Sequence, residues 1–247
     1  MQRGIPEMAS APIILVPGFW LGAWAWDEVA EALRADGHDV TPMTLPGLES
    51  RDADRSQITQ SDHVQAVCDA ILAKDQPVVL GVHSGAGYTG YAASDRVPDR
   101  IAAMVYVDTG AGKGAMDPDL EGNEHPLPSP EQLAESENLT GLSEEQLATF
   151  RERAVAEPAG VMREAIELTN DARLDIPSTV IATAYTSDDY KKYVKEGYGF
   201  LAGLAELRNL TYVDLPTSHW PMWSRPKELA AIIGEVAKTH GEADSGS

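Results

Sequence analysis

A single cysteine in 247 residues, Cys68, excludes an internal disulfide and leaves no cysteine cluster to hold a metal. Cationic residues are scarce: 19 Lys and Arg stand against 39 Asp and Glu, a net charge of −20. Such a chain repels nucleic-acid phosphates and anionic lipid headgroups, so neither is an expected partner, and the acidity is read as a solubility device. Long hydrophobic runs are missing as well. The longest are strand-sized, such as IILV at 13–16, too short to span a bilayer. The opening MQRGIPEMAS lacks the apolar core of a secretory leader, so the cytoplasm is the expected compartment. No repeat is present, and low complexity is confined to the terminal GEADSGS, which is expected to fray.

What remains is an ordinary globular composition, 43% hydrophobic, and a length that one domain spanning 1–247 accommodates. PIILVPG (12–18) reads as a buried strand. Trp26, Val29, Ala30 and Leu33 then follow at helical spacing, closed by Gly37. A weaker strand lies in 38–47, and a helix carrying Val64, Val67, Cys68 and Ile71 opens after Ser61 as N-cap. PVVLGVHS, RIAAMVYVD, TVIATAYT and LTYVDLP are further strands, with a helix from about Gly85 and a closing helix over 226–239. Strands alternating with helices predict an α/β fold with a mostly parallel, doubly wound sheet. Its core is expected over about 12–109 and 176–239, with 240–247 as tail. After the fourth strand the rhythm breaks. Residues 110–175 are Pro- and acid-rich with two helical patterns, SEEQLATFRERAVA and AGVMREAIELT, and are expected to form a small helical lid.

The stretch GVHSGAGYTG at 81–90 admits two chemistries. GAGYTG matches the dinucleotide fingerprint G-x-G-x-x-G, with Asp108 standing 18 residues beyond Gly90 as the ribose acid. VHSGA approximates the nucleophile elbow G-x-S-x-G, in which a serine projects from a tight strand-to-helix turn. The fingerprint normally sits on the first strand of its sheet, whereas here two strands precede it, and it gives no task to Ser84 or to TSHWPMW at 217–223. The elbow uses both. Ser84 is the expected nucleophile and His219, after the last strand, its base. Asp108, at a strand end between them in the chain, is the orienting acid. The oxyanion hole is expected from the amides of Phe19, in the loop PGFWLGAW, and Gly85.

In that order and spacing, ILVPGFWLGAW, LPG at 45–47, VVLGVHSGAG, RIAAMVYVD, the insertion and DLPTSHWPMW resemble an α/β-hydrolase over nearly all of 12–239. The short N-terminus and small lid are similar to the compact plant-esterase and hydroxynitrile-lyase branch. The resemblance implies a serine hydrolase acting on an ester or lactone, with no cofactor or metal and a small molecule as partner. Two departures stand out. The oxyanion motif begins Pro17-Gly18 where the family has His-Gly, and Val82 occupies the usual glycine position two before the serine. Zearalenone-type lactonases resemble the chain in this elbow and in taking their acid after the same strand as Asp108. Asp188, near the acid position commoner in the family, is the alternative acid. An NAD(P)-binding oxidoreductase, a hydroxynitrile lyase using the same triad and a non-catalytic binding protein are the alternative functions, and oligomeric state is open.

Other residues have plainer readings. His83 adjoins the serine but faces the opposite side of the strand, so packing beneath the elbow is expected. His38, His63 and His240 are expected at the surface, Cys68 as inert packing, and Trp24, Trp26, Trp220 and Trp223 in the core. Trp20 and His125 are candidate substrate-pocket residues. With an acidic lid and no Lys or Arg near the expected site, the predicted substrate is neutral and fairly apolar.

Overall fold

The computed structural model describes residues 9–241. The opening MQRGIPEM and the tail from residue 242, on which the leader and fraying expectations fall, lie outside the described residues. In chain order the strands are β1 (Ile13–Val16), β2 (Val40–Pro42), β3 (Val78–His83), β4 (Ile101–Val107), β5 (Glu124–His125), β6 (Glu157–Pro158), β7 (Ser178–Ala182) and β8 (Leu210–Asp214). The helices are α1 (Asp27–Ala35), α2 (Gln60–Leu72), α3 (Ala86–Arg96), α4 (Pro130–Ser136), α5 (Glu144–Arg153), α6 (Ala159–Arg163), α7 (Ser187–Glu196), α8 (Pro221–Ser224) and α9 (Pro226–Thr239). Six strands form one parallel sheet in the order β2-β1-β3-β4-β7-β8, while β5 and β6 pair as a separate antiparallel ribbon.

The continuous apolar runs of β1 and β3 follow from burial on both faces. Alternation along β1 sends Ile13 and Leu15 toward Val29 and Leu33 of α1 and Leu229 and Ile233 of α9. Ile14 and Val16 point the other way, onto Val64, Val67 and Ile71 of α2 and Tyr91 of α3. This is the doubly wound α/β architecture. The strand order reverses at β1, whose neighbours are β2 on one side and β3 on the other. Ligands of such sheets bind beyond the carboxyl ends of the strands at that crevice.

Local expectations needed revision. Thr59, not Ser61, caps α2, with its N–H donated to Asp62 Oδ2 at 2.9 Å. Ser61 lies inside the first turn and donates its amide to Glu164 at 3.1 Å. That contact explains a second difference: the helix expected over 159–169 stops at Arg163, because Glu164 turns to extended backbone to reach α2. Helices α4 and α7 were not expected. His38 and His63 are buried rather than superficial. The burial is tolerated because His63 Nε2 meets Pro46 O at 2.8 Å and His38 Nδ1 meets Ser10 Oγ at 3.1 Å.

Candidate active site

The site is built from the residues that follow four strand ends. Ser84 comes directly after β3 with φ +52°, a left-handed conformation that costs a non-glycine residue about 1–3 kcal/mol and aims its side chain away from the strand. The sharp turn works because its neighbours lack side chains. A Cβ on Gly85 would strike the Phe19 ring, one on Gly87 the carbonyl of Gly110, and one on Gly90 would lie 2.6 Å from Val82 Cγ1. Gly90 therefore supplies the room that Val82 needs at the position where the elbow pattern G-x-S-x-G has glycine. All three glycines of GAGYTG are accounted for by close approach within the protein, Gly85 and Gly87 to neighbouring loops and Gly90 to β3.

His219 lies in the loop between β8 and α8. Its Nε2 is 2.9 Å from Ser84 Oγ and its Nδ1 is 2.6 Å from Asp108 Oδ2. Asp108 follows β4, also in a left-handed conformation at φ +46°. Its other oxygen accepts from Thr183 N at 3.0 Å, Ala184 N at 3.2 Å and Tyr190 Oη at 2.9 Å. Burial pushes the Asp108 carboxyl up, but its bonds to His219, Thr183 and Tyr190 outweigh this and hold it below the usual carboxylate range. The opposite holds for His219: burial lowers it, yet Asp108 and then Glu137 raise it above the ordinary imidazole value. Asp188, by contrast, is exposed in the first turn of α7 and makes no bond to His219.

Two backbone anchors fix the imidazole. His219 N donates to Asn138 O at 2.9 Å, and His219 O accepts from His83 Nε2 at 2.6 Å. His83 is fully buried, and desolvation with the neighbouring His219 lowers it to about 3, so its ring is neutral. It lies beneath the elbow, as strand alternation implies, and supports the loop of His219.

The loop after β1 crosses in front of Ser84: a Cβ on Gly18 would approach Ser84 Cβ to 2.9 Å. Among the described residues neither the Phe19 nor the Gly85 amide donates to a protein acceptor. The next amide, Trp20 N, is taken by Glu157 Oε1 at 2.9 Å. Trp20 Nε1 donates to His125 O at 3.0 Å, and the Trp20 and His125 rings both lie against Phe19. These two residues stand behind Phe19 and do not line the cleft, because the ribbon of β5 and β6 holds them there.

The cleft over Ser84 has a volume of about 420 Å³. Tyr88, Met116, Met162, Tyr185 and Phe200 form much of its wall, with Glu137 beside His219. No Lys or Arg lines it among the described residues, and no cluster of His, Cys, Asp or Glu there could hold a metal ion. Sequence reading missed Tyr190, Thr183, Asn138 and Glu137. Tyr190 had a visible signal, since Tyr190, Tyr193 and Val194 share one helical face; the others are defined only by contacts distant in sequence.

Known proteins bear out this architecture. Methylesterase 7 of Arabidopsis thaliana is 26% identical over 91% of this chain and 95% of its own length. Methylesterase 8 of the same plant is 38% identical over a shorter stretch, 41% of this chain and 38% of that protein. The chain thus matches only about two fifths of the length of the first curated relatives. Among solved structures, an extracellular alpha/beta-hydrolase from a Paenibacillus species superposes with a TM-score of 0.72 at 25% identity, covering 94% of this chain and 99% of that one. Residues 13–232 match the Alpha/beta hydrolase family, and the chain belongs to that family.

Proposed function

We propose that the protein is a serine hydrolase that cleaves a neutral, fairly apolar carboxylic ester or lactone through an acyl-enzyme. The observation that carries this reading is the linear relay of Ser84 Oγ, His219 and Asp108, with contacts of 2.9 and 2.6 Å. Ser84 Oγ attacks the carbonyl carbon as its proton passes to His219 Nε2. The buried Asp108 holds the imidazole in the required tautomer and stabilises its charge. The oxyanion collects the free amides of Phe19 and Gly85, each of which is worth roughly 3–4 kcal/mol in such sites. His219 then protonates the departing alkoxide. It next takes a proton from water, whose oxygen attacks the acyl carbon, and then gives that proton to Ser84 Oγ as the acyl–Oγ bond breaks and the acid leaves.

The substrate class follows from the walls. Aromatic and Met side chains favour apolar groups, and Glu137 without a cationic counterpart opposes a carboxylate. The named esterases among the relatives support ester cleavage. The elbow GVHSGAG and the placement of Asp108, which resemble those of zearalenone-type lactonases, keep lactones in the reading.

Incubation with a fluorophosphonate tests it. The expected result is one adduct on the peptide 77–90, absent in Ser84→Ala, together with turnover of neutral esters or lactones well above that of a carboxylate-bearing analogue. A folded protein that takes no adduct and turns over no ester overturns the reading.

A further inference from the structure

Glu157 is a buried carboxyl to which the chemistry above gives no task. It sits on β6, 4% exposed, with its Oε1 accepting the Trp20 amide at 2.9 Å. Two more contacts converge on the same residue: Val155 N donates to Trp20 O at 3.0 Å, and Trp20 Nε1 donates to His125 O at 3.0 Å. His125 is paired with Glu157 across the β5–β6 ribbon. Trp20 is therefore held at its N–H, its carbonyl and its indole, each time by the inserted segment between β4 and β7. It needs such a grip, because its φ of +67° is a conformation a bulky residue does not hold unaided.

The grip reaches the chemistry through one peptide plane. Trp20 N and the Phe19 carbonyl share that plane, which meets the plane of the Phe19 amide at the Phe19 Cα, so holding Trp20 restricts the Phe19 backbone and limits how far its amide can turn. We propose that Glu157 is a positioning residue, which holds the oxyanion loop in place from the inserted segment by accepting the Trp20 N–H. The loop's catalytic role rests on the hydrolase reading; the clamp itself does not. Burial pushes the Glu157 carboxyl up to about 8, so near neutrality it is largely uncharged and a carboxamide can replace it as acceptor.

The test compares Glu157→Leu, which keeps volume but removes the acceptor, with Glu157→Gln, which keeps it. Hydrogen exchange is read on peptides covering 17–23 and, as controls, on β3 and β4. The leucine variant is expected to exchange faster at 17–23 alone, and the glutamine variant to match the wild type. With an ester that the wild type cleaves, kcat should fall about 30-fold in the leucine variant, somewhat less than removing an oxyanion donor outright. KM should barely move, a tetrahedral boronic-acid inhibitor should lose affinity by the same factor, and glutamine should restore all three. Glu157→Ala serves as the acceptorless variant if leucine does not fold. Unchanged exchange at 17–23 in a folded acceptorless variant overturns the clamp, as does a glutamine variant as loosened as leucine. If the wild type cleaves no ester, the hydrolase reading fails, and the exchange data still decide the clamp.

Discussion

Trp20, Ser84 and Asp108 are the non-glycine residues with positive φ among the described residues; Ser84 and Asp108 line the cleft, and Trp20 stands behind its Phe19 wall. The Ser84–His219–Asp108 relay was legible as letters because the proposed roles of nucleophile, base and acid carry a chain order and a strand-end position that do not depend on packing. The residues that tune it were not, His83 excepted, whose place beneath the elbow follows from strand alternation. His83 meets His219 across 136 positions, Tyr190 meets Asp108 across 82, and Glu157 meets Trp20 across 137; nothing local in the sequence encodes those distances. Glu137 belongs to the same group and sets a pH effect. Its charge is among the causes that lift His219 above the ordinary imidazole value. Only neutral His219 accepts the Ser84 proton, so the acid limb of kcat/KM is expected above pH 6.5, the model-peptide value. Glu137→Gln removes a nearby anion, lowers the His219 pKa and should move that limb to lower pH. A pH–rate profile with an uncharged ester checks both, and a limb that stays put removes Glu137 from the account.

The long elements announced themselves, because β1, β3, β4 and α9 are either continuously apolar or periodic over many residues. Helices α4 and α7 were hidden by their polarity, although their capping boxes were in plain view: Ser129 with Gln132, and Thr186 with Asp189. Reading the apolar pattern alone overlooks such helices, and it also overextended α6, which ends where its own C-cap residue Glu164 turns out to bond Ser61 of α2. Helix α4 matters beyond its length. Its C-cap is Glu137, and the following Asn138 carbonyl holds the His219 amide. Ser129→Ala deletes the acceptor of Gln132 N and should weaken this helix by about 1 kcal/mol. Since α4 packs only Leu133 into the interior, the expected outcome is a raised KM for esters with a nearly unchanged Tm. A large fall in Tm with KM intact would show that α4 supports the fold rather than the cleft.

For the whole molecule, the excess of acid governs how it responds to its surroundings. A net charge of −20 is self-repelling, and few described cations offset it in buried pairs; Arg173 with Asp95 is one that does, at 3.1 Å. Raising salt shortens the screening length from about 30 Å at 0.01 M to about 3 Å at 1 M. Tm is therefore expected to climb with sodium chloride, which a thermal scan at several concentrations checks; a flat or falling Tm would mean that local ion pairs outweigh the general repulsion. The doubly wound sheet itself followed from the alternation of strands and helices.

The spacing of the relay along the chain also has a consequence during protein synthesis. Ser84 and His219 are 135 residues apart, and His219 follows β8, the edge strand that pairs with β7. On a ribosome the hydroxyl emerges long before the imidazole, so the nascent chain carries a serine with no partner to take its proton. Under the proposed mechanism, reactivity switches on only when the last strand docks, and a growing polypeptide is spared an exposed, activated nucleophile.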